Sequence, residues 1–273
     1  MALKWALSHS LTEGYWMVQW VDFHTHILDS PTLAGIPPEC RSAGVDRWLV
    51  NSGDLANYRT FSSLSSSFPP AIVGLGFHPE SVISIPGSDV PSSLEKFSAF
   101  VKDAPFLGET GLDFLYGKTP SQQEAQKKVF SRFIDWSIEH DKLIVVHTRH
   151  AKQESLDMLV DTNAEKVILH WFSGNEKQQK QIISRSWVVT VGPTILNSPH
   201  MDHFIERQPI ELLGLETDSP IPFDGIPSSP AWIPRVAERV AGIKGLSLEA
   251  VAEAQLGIFS RFFPAFPINP FVE

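Results

Sequence analysis

Two histidines separated by one residue, His24 and His26, lie at the end of an apolar stretch at positions 20–24. Side chains alternate between the two faces of a β-strand, so both imidazoles are predicted to point to the same side. Imidazole nitrogens are common ligands of divalent transition metals. A pair of structural loop histidines is the alternative for an isolated motif of this kind. The interpretation therefore depends on whether other strands end in matching groups.

Short apolar runs alternate with longer amphipathic stretches along the chain, which predicts strands and helices in alternation. The predicted strands are 20–24, 46–51, 71–77, 106–109, 143–147, 166–170, 187–191 and 211–216. The predicted helices are 54–67, 91–101, 121–140, 151–160, 175–184, 198–206, 231–240 and 247–263. This pattern over about 250 residues is typical of a closed (β/α)8 TIM barrel, an α/β fold. A doubly wound open sheet competes, but it more often has a glycine-rich loop after its first strand.

Acidic or imidazole side chains follow six of the eight predicted strands. In a (β/α)8 barrel the carboxyl ends of the strands meet on one rim, where the active site lies. Four imidazoles and two carboxylates on one rim require a positive charge among them, because burying them otherwise costs free energy. A pair of divalent metals supplies that charge. The predicted donors are His24, His26, Glu109, His147, His170 and Asp218.

Strand order divides the predicted donors between two metals. His24, His26 and Asp218 come from the first and last strands, which are neighbours in a closed barrel, and would hold one ion. The imidazoles from strands five and six would hold a second, and Glu109 would bridge both. Asp218 is then the predicted general base that accepts a proton from the attacking water. Zn²⁺, Mn²⁺ and Mg²⁺ are the candidate ions, and the imidazoles favour the first two.

Three further side chains near these strand ends are predicted to contact substrate or to orient a ligand. His78 is interpreted as a group near the substrate phosphate, and a strand-end structural histidine is its alternative. Arg149 is predicted to bind phosphate, with a salt bridge to a neighbouring loop as the alternative. Asp113 either holds its own loop or orients a ligand histidine. Trp171 and Phe172 either stack a nucleobase or anchor a loop in the core, and the second interpretation is favoured.

Six short motifs together resemble the TatD family of metal-dependent deoxyribonucleases, which belongs to the amidohydrolase-like metal hydrolases. The motifs run in this order: DFHTH, GFHPE, GETGLDF, VHTR, HWFSG and LETDSP. The resemblance implies a TIM barrel, two divalent metals and hydrolysis of DNA phosphodiesters, commonly from the 3′ end of single-stranded DNA. It assigns metal binding to the six donors named above. Asp218 and Glu109 are the predicted catalytic residues.

The chain departs from the family pattern at three places. Where the family usually has HSRDA, this chain has an HTRHA segment with His150 in place of an aspartate. Phe114 and Leu115 stand where the family usually has tyrosines, and the last helix has Gln255 near the usual position of an Asn-Thr pair. None of these changes removes a predicted metal ligand, so their expected effect is on substrate preference.

Composition limits the remaining possibilities. The 273 residues carry a net charge of −9, which argues against a generally basic surface that coats nucleic acid. The single cysteine, Cys40, excludes an intramolecular disulfide and suits a reducing compartment, so a cytoplasmic location is expected. Apolar runs are too short for a membrane span. Residues 1–17 are predicted to be a weakly ordered extension before a single barrel domain at 18–273.

Two other functions compete with a nuclease. A metal-dependent amidohydrolase or lactonase on the same barrel shares the paired histidines, the two later histidines and the final aspartate. Many such enzymes bridge their metals with a carboxylated lysine, whereas this chain has Glu109 at that position, which favours a nuclease. A non-catalytic subunit of a nucleic-acid-processing complex is the second alternative, and the retention of all predicted ligands argues against it.

Overall fold

Eight parallel strands form the centre of the molecule in the part of the chain that the structure describes. The structure is a computed structural model that describes residues 18–27, 38–65 and 71–266. The predicted extension at 1–17 lies outside these ranges. The strands are β1 Trp20–Thr25, β2 Val45–Asn51, β3 Ala71–Gly74, β4 Leu107–Gly111, β5 Ile144–His147, β6 Val167–Leu169, β7 Val188–Val191 and β8 Leu213–Leu215. Each predicted strand is present, with ends that differ by a few residues.

The strands pair in chain order and close into a barrel. Continuous parallel pairing joins β1 to β3 and β4 to β8. At the first seam, the Leu75 N–H donates to Phe106 O (3.0 Å) and the Gly108 N–H donates to Leu75 O (2.8 Å). At the second, the Asp218 N–H donates to His24 O over 2.9 Å. These bonds complete the circle and confirm the predicted TIM barrel.

Helices pack around the strands. Each predicted helix is present with at least one end within two residues of its predicted position, and two short helices at 38–42 and 79–83 were not predicted. The helices are α1 Pro38–Ser42, α2 Leu55–Ser65, α3 Pro79–Ile83, α4 Val90–Val101, α5 Pro120–Glu139, α6 Lys152–Asp161, α7 Glu176–Ser184, α8 Asp202–Arg207, α9 Ile233–Lys244 and α10 Leu248–Phe262. The longest, α5, starts at a capping box in which the Thr119 side chain accepts from the Gln122 N–H and the Gln122 side chain accepts from the Thr119 N–H. Both otherwise unpaired amide groups are thereby satisfied.

The sequence prediction was wrong in detail after strands seven and eight. The helix predicted at 198–206 begins only at Asp202, after two 3-10 turns. Pro199 fixes its own φ and lacks an N–H, which favours a turn over an α-helix there. A hairpin of β9 Pro222–Phe223 and β10 Ile226–Pro227 was not predicted. Its turn residues Asp224 and Gly225 have φ of 51° and 76°, which is the Asp-Gly signature of a tight hairpin.

Apolar side chains form two layers. The larger cluster lies between the strands and the surrounding helices. The smaller cluster fills the barrel interior, where Val21 and Phe23 of β1 pack with Ile258, Phe259 and Phe263 from the end of α10. Residues that precede β4, β5 and β8 belong to the same cluster, so the last helix closes the barrel at the amino ends of its strands. The opposite end is left open for the polar groups.

Among the described residues, no helix combines the length and the apolar character that crossing a membrane requires.

Candidate metal centre

Four donor atoms converge at the junction of β1 with β8. The Nε2 atoms of His24 and His26 are 3.2 Å apart. Each of these two nitrogens lies 3.3 Å from Glu109 Oε2 and 3.5 Å from Asp218 Oδ1. The register of β1 against β2 shifts between Asp22 and Thr25, and both imidazoles nevertheless reach the same point, as the sequence predicted.

The separations among these four atoms fit a divalent ion. Donors held 2.0–2.1 Å from a tetrahedral zinc ion are about 3.3–3.4 Å apart, and the five separations above span 3.2 to 3.5 Å. His24 is fully buried and Glu109 is 2 % exposed. Two imidazole nitrogens facing each other inside a protein, beside two carboxylates, are stable only with a cation or a proton between them. The donor set therefore suits a metal.

A second group of donors surrounds the other oxygen of Glu109. His147 Nδ1 lies 2.7 Å from Glu109 Oε1, and His170 Nε2 lies 3.8 Å from the same oxygen. His170 Nε2 is also 3.9 Å from Asp218 Oδ2. Glu109 thus presents one oxygen to each group, and Asp218 extends between them. The division of these donors between two ions stays a prediction.

Three of the four imidazoles have the outward-facing ring nitrogen occupied by a partner. His26 Nδ1 contacts the backbone carbonyl of Asn51 (2.9 Å), and His170 Nδ1 contacts Glu216 Oε2 (2.9 Å). His147 Nε2 contacts Asp113 Oδ2 over 2.9 Å. A carbonyl or carboxylate accepts a hydrogen bond, so each of these nitrogens carries the proton and the other ring nitrogen offers its lone pair to the centre.

His78 has the opposite proton arrangement. Its Nδ1 accepts a hydrogen bond from the Glu80 N–H over 3.2 Å. In a neutral imidazole the proton must then be on Nε2, which lies 3.7 Å from Glu109 Oε1. Burial lowers the pKa of His78 to about 4, so the ring is neutral at physiological pH. His78 is therefore an N–H donor beside the centre and is unsuited to bind a metal there.

Electrostatic interactions in the cluster hold protons on some groups and remove them from others. Burial by itself would raise the pKa of Glu109, but His24, His78 and His170 outweigh burial and hold that pKa well below its usual range. Burial raises the pKa of Asp218 to about 6, against the opposing effect of the imidazoles. Glu109 is thus ionised at neutral pH, whereas the pKa of Asp218 lies close to neutral pH.

The two imidazoles of the second group are strongly basic in the metal-free protein. Burial lowers the pKa of each ring, but their carboxylate partners outweigh burial and raise both to about 9. Asp113 and Glu109 act on His147, while Glu216, Glu109 and Asp218 act on His170. Protons therefore occupy, without metal, positions that a cation would take.

Two buried carboxylates that support the centre were not identified as site residues from the sequence. Glu216, directly after β8, also accepts a hydrogen bond from Thr190 Oγ1 (2.5 Å) and so holds His170 in place. Asp22 accepts from the backbone N–H groups of His24 and Thr217 and from the Thr217 hydroxyl, which ties β1 to β8. Their spacing was the available signal: each lies two residues before a predicted ligand, His24 or Asp218.

Asp113 combines the two roles that the sequence left open. Its Oδ2 contacts His147, and its Oδ1 accepts from the Leu115 and Tyr116 N–H groups. The carboxylate therefore holds its own loop and the ligand ring together. In the last helix, the Gln255 side chain accepts from the Leu215 N–H and donates to Leu213 O, so it secures β8.

Close packing of backbone positions Glu109. A Cβ added to Gly76 would lie 2.1 Å from Ser52 O and 2.3 Å from the Glu109 backbone nitrogen. No side chain fits there without moving the backbone that carries the Glu109 carboxylate. Glycine is thus required at this position, because the loop that follows β3 packs directly against the backbone of β4.

A cavity of about 1200 Å³ opens above the cluster. Arg149 lines it, is exposed, and lies over the Tyr116 ring with its guanidinium carbon 5.4 Å from the ring centroid. His150, which stands at the departure from the family pattern, also lines the cavity. Trp171 lines the cavity and is partly buried, whereas Phe172 is fully buried and belongs to the core. The prediction that both aromatic side chains anchor a loop in the core is confirmed for Phe172 only.

The barrel and the donor cluster together place the chain among the metal-dependent hydrolases built on a (β/α)8 barrel. Within that class it belongs to the TatD family: the family model described as TatD related DNase matches residues 21–264.

Individual relatives agree with this membership. The chain is 28 % identical over 259 residues to the human protein named deoxyribonuclease TATDN3, covering 89 % of this chain and 94 % of that one. It is 25 % identical to the uncharacterized metal-dependent hydrolase YabD of Bacillus subtilis, covering 89 % of this chain and 98 % of that one. The crystal structure of the TatD homologue YjjV from Escherichia coli superposes with a TM-score of 0.81 at 24 % identity, covering 91 % and 99 % of the two chains.

Proposed function

We propose that this protein is a metal-dependent deoxyribonuclease that hydrolyses phosphodiester bonds and releases nucleotides from the 3′ end of single-stranded DNA. The observation that carries the proposal is the convergence of four predicted imidazole donors around the two oxygens of Glu109, with Asp218 beside them. Membership of the TatD related DNase family, and a relative named as a deoxyribonuclease, support DNA as the substrate.

The six donors are assigned as metal ligands on this geometry. His24, His26 and Asp218 would hold one divalent ion, the imidazoles of His147 and His170 a second, and the shared carboxylate both. When bound, such ions polarise a phosphodiester and neutralise the charge that develops during its hydrolysis. The imidazole donors and the tetrahedral separations favour Zn²⁺ or Mn²⁺ over Mg²⁺.

Asp218 is positioned to accept the proton of the attacking water. Its carboxylate lies 3.5 Å from one pair of imidazole nitrogens and 3.9 Å from His170 Nε2, so it borders both groups of donors. A general base in such a position contributes typically 10²–10⁴-fold to the rate. Glu109 is the second catalytic residue, because it fixes the two groups of donors relative to one another.

Two side chains are assigned to the substrate phosphate. His78 carries a proton on Nε2, beside Glu109, and can donate it in a hydrogen bond to a phosphate oxygen. Arg149 is exposed at the cavity wall and can form a bidentate contact with a phosphate. Asp113 acts through His147, whose ring it orients, rather than on the substrate itself.

The test is digestion of DNA labelled at its 5′ end. Metal-stripped protein is reloaded with Zn²⁺, Mn²⁺ or Mg²⁺ and given single- or double-stranded DNA, with Asp218→Asn as the inactive control. A ladder of progressively shortened single strands is expected, and no ladder from the variant. Lactones and cyclic amides are tested in parallel. Protein loaded with metal that cleaves one of these and no DNA would overturn the nuclease assignment.

A further inference from the structure

The segment that follows β6 carries an aromatic side chain directly beside a metal-ligating histidine. The ring of Trp171 lies edge-on to that of His170, with centroids 5.9 Å apart and planes at 81°. The indole is partly buried and forms part of the cavity wall. A bound phosphodiester at the metal centre would therefore place its neighbouring sugar and base near the indole.

The indole is held in one orientation from two sides. Its Nε1–H donates to Thr194 Oγ1 over 3.1 Å, and the Trp171 backbone N–H donates to Thr190 Oγ1 over 3.1 Å. The backbone adopts φ of 45°, which is rare for a bulky residue and is kept only where surrounding contacts enforce it. Because the one N–H of the ring is already paired, the indole can offer a ligand only its aromatic face and edge.

A lysine fixes the rest of the same segment. Lys152 Nζ donates to Ser173 Oγ over 2.9 Å and to the Ser173 backbone oxygen, and lies 5.8 Å from the centroid of the Phe172 ring. Phe172 is fully buried against the outer core. The residues on both sides of Trp171 are thus anchored, and the indole forms a rigid surface on the cavity wall.

We propose that Trp171 stacks one nucleobase flanking the phosphodiester at the metal centre, so that the enzyme requires a base as well as a phosphate. This inference rests on the proposed nuclease function. Stacking of a base on an aromatic side chain tolerates any sequence, because every base presents a π-face. The site therefore selects nucleotides over simple phosphodiesters without reading sequence. Ile221, which is exposed on the same cavity wall, adds apolar surface to that wall.

The test compares intact and abasic substrates in wild-type and variant enzymes. Single-stranded oligothymidylate is compared with the same strand carrying an abasic tetrahydrofuran residue at the last or the penultimate position. Wild-type protein and Trp171→Ala are assayed on both, and KM and kcat are separated. Trp232→Ala is the matched control, because Trp232 is a partly buried tryptophan outside the cavity wall, beneath Arg235.

A nucleobase contact predicts a specific pattern. For wild-type protein, KM rises about 5- to 150-fold when one of the two positions lacks its base, and kcat changes little. Trp171→Ala raises KM on the intact strand by a similar factor. On the abasic strand that raises the wild-type KM, the variant and the wild type have the same KM. Trp171→Phe keeps an aromatic face and recovers most of the loss, whereas Trp232→Ala behaves as wild type.

Other outcomes contradict one proposal or the other. Equal wild-type KM values for intact and abasic strands overturn the stacking role, even if Trp171→Ala does not fold. The stacking role is also overturned if Trp171→Ala raises KM by the same factor on the intact and the abasic strand. Failure of the wild type to cleave any strand overturns the nuclease function instead. Fluorescence anisotropy of the same labelled strands in Ca²⁺ then decides the stacking role, because it measures binding without cleavage.

Discussion

The two ends of the barrel are built on opposite principles. At the closed end, Phe259 and Phe263 of the last helix pack into the interior with Val21 and Phe23, and nearly every group there is apolar. At the open end, the same strands continue into imidazoles and carboxylates, most of which are also buried. One strand thus supplies core at its beginning and metal donors at its end.

The difference separates stability from function. Apolar burial at the closed end lowers the free energy of the folded chain without any further partner. The open end gathers buried groups whose charges are not balanced among themselves, which costs free energy until a cation binds. Substitutions at the two ends are therefore expected to have opposite signatures, and four predictions test that contrast.

The largest effect on activity is expected from Asp218→Asn. The change removes the general base and should reduce kcat about 10²–10⁴-fold on DNA. The melting temperature of the metal-free variant should change little, because burial already disfavours the Asp218 charge that the substitution removes. Asp103→Asn is the control. It changes an exposed carboxylate between α4 and β4 and should leave both quantities unchanged. Full activity of Asp218→Asn would contradict the assignment.

Phe259→Ala should show the reverse signature. Phe259 is fully buried, and its truncation leaves a cavity in the interior cluster. The expected loss is about 3–5 kcal/mol in the free energy of unfolding, measured with urea. Activity per folded molecule at low temperature should stay close to wild type. Ile138→Ala, at an exposed position of α5, should change stability by about 0.5 kcal/mol or less. A loss of activity per folded molecule in Phe259→Ala would contradict this expectation and would show that the closed end affects the donor cluster.

The carboxylates behind the ligand imidazoles should have an intermediate effect. Glu216→Gln and Asp113→Asn each alter the partner that sets the proton position of a ligand ring. Each change should weaken metal binding about 10- to 100-fold, measured by competition with a chelator. Glu95→Gln, at an exposed position of α4, serves as the control. Unchanged affinity in both variants would mean that the rings are oriented by packing alone.

The last prediction concerns pH, which acts on the open end without any substitution. The raised pKa values of His147 and His170, both about 9, mean that the folded metal-free protein binds more protons than the unfolded chain. Their contribution to stability is complete below about pH 6.5 and is lost as pH rises through 9. Asp22, with its pKa raised by burial to about 8, acts in the same direction.

Calorimetry of protein with and without metal measures this effect. The melting temperature of the metal-free form should fall between pH 6.5 and 9, by about 2–4 °C per kcal/mol lost. Over the same interval, the melting temperature of the metal-loaded form should rise relative to that of the metal-free form. The reason is that the ligands must lose their protons before they bind the metal. A melting temperature of the metal-free form that rises over this interval would contradict the pKa assignments.

Much of the fold was predictable because strand and helix signals agree along the chain. The eight strands were found from short apolar runs, and α5 from its long amphipathic pattern. The wrong boundaries lie where local signals compete, as at Pro199, where a turn replaced the first part of a predicted helix. The hairpin at 222–227 was missed although Asp224-Gly225 signals it, because its strands are only two residues long.

The sequence by itself determined which imidazoles and carboxylates stand at the strand ends and on which strand each one lies. It placed His24, His26 and Asp218 at the ends of neighbouring strands, because parallel strands in a barrel all end on one rim. It also predicted that Glu109 stands between two groups of donors. These conclusions needed only residue types, their order and the geometry of the fold.

Only the tertiary structure decided which nitrogen of each ring faces the centre. Asp113 is 34 residues from His147 and Glu216 is 46 residues from His170, yet each sets the proton position of its ring. His78, by contrast, is set by a backbone N–H two residues away and becomes a donor. The physical reason is that an imidazole has two nitrogens and one proton, and contacts formed after folding choose between them.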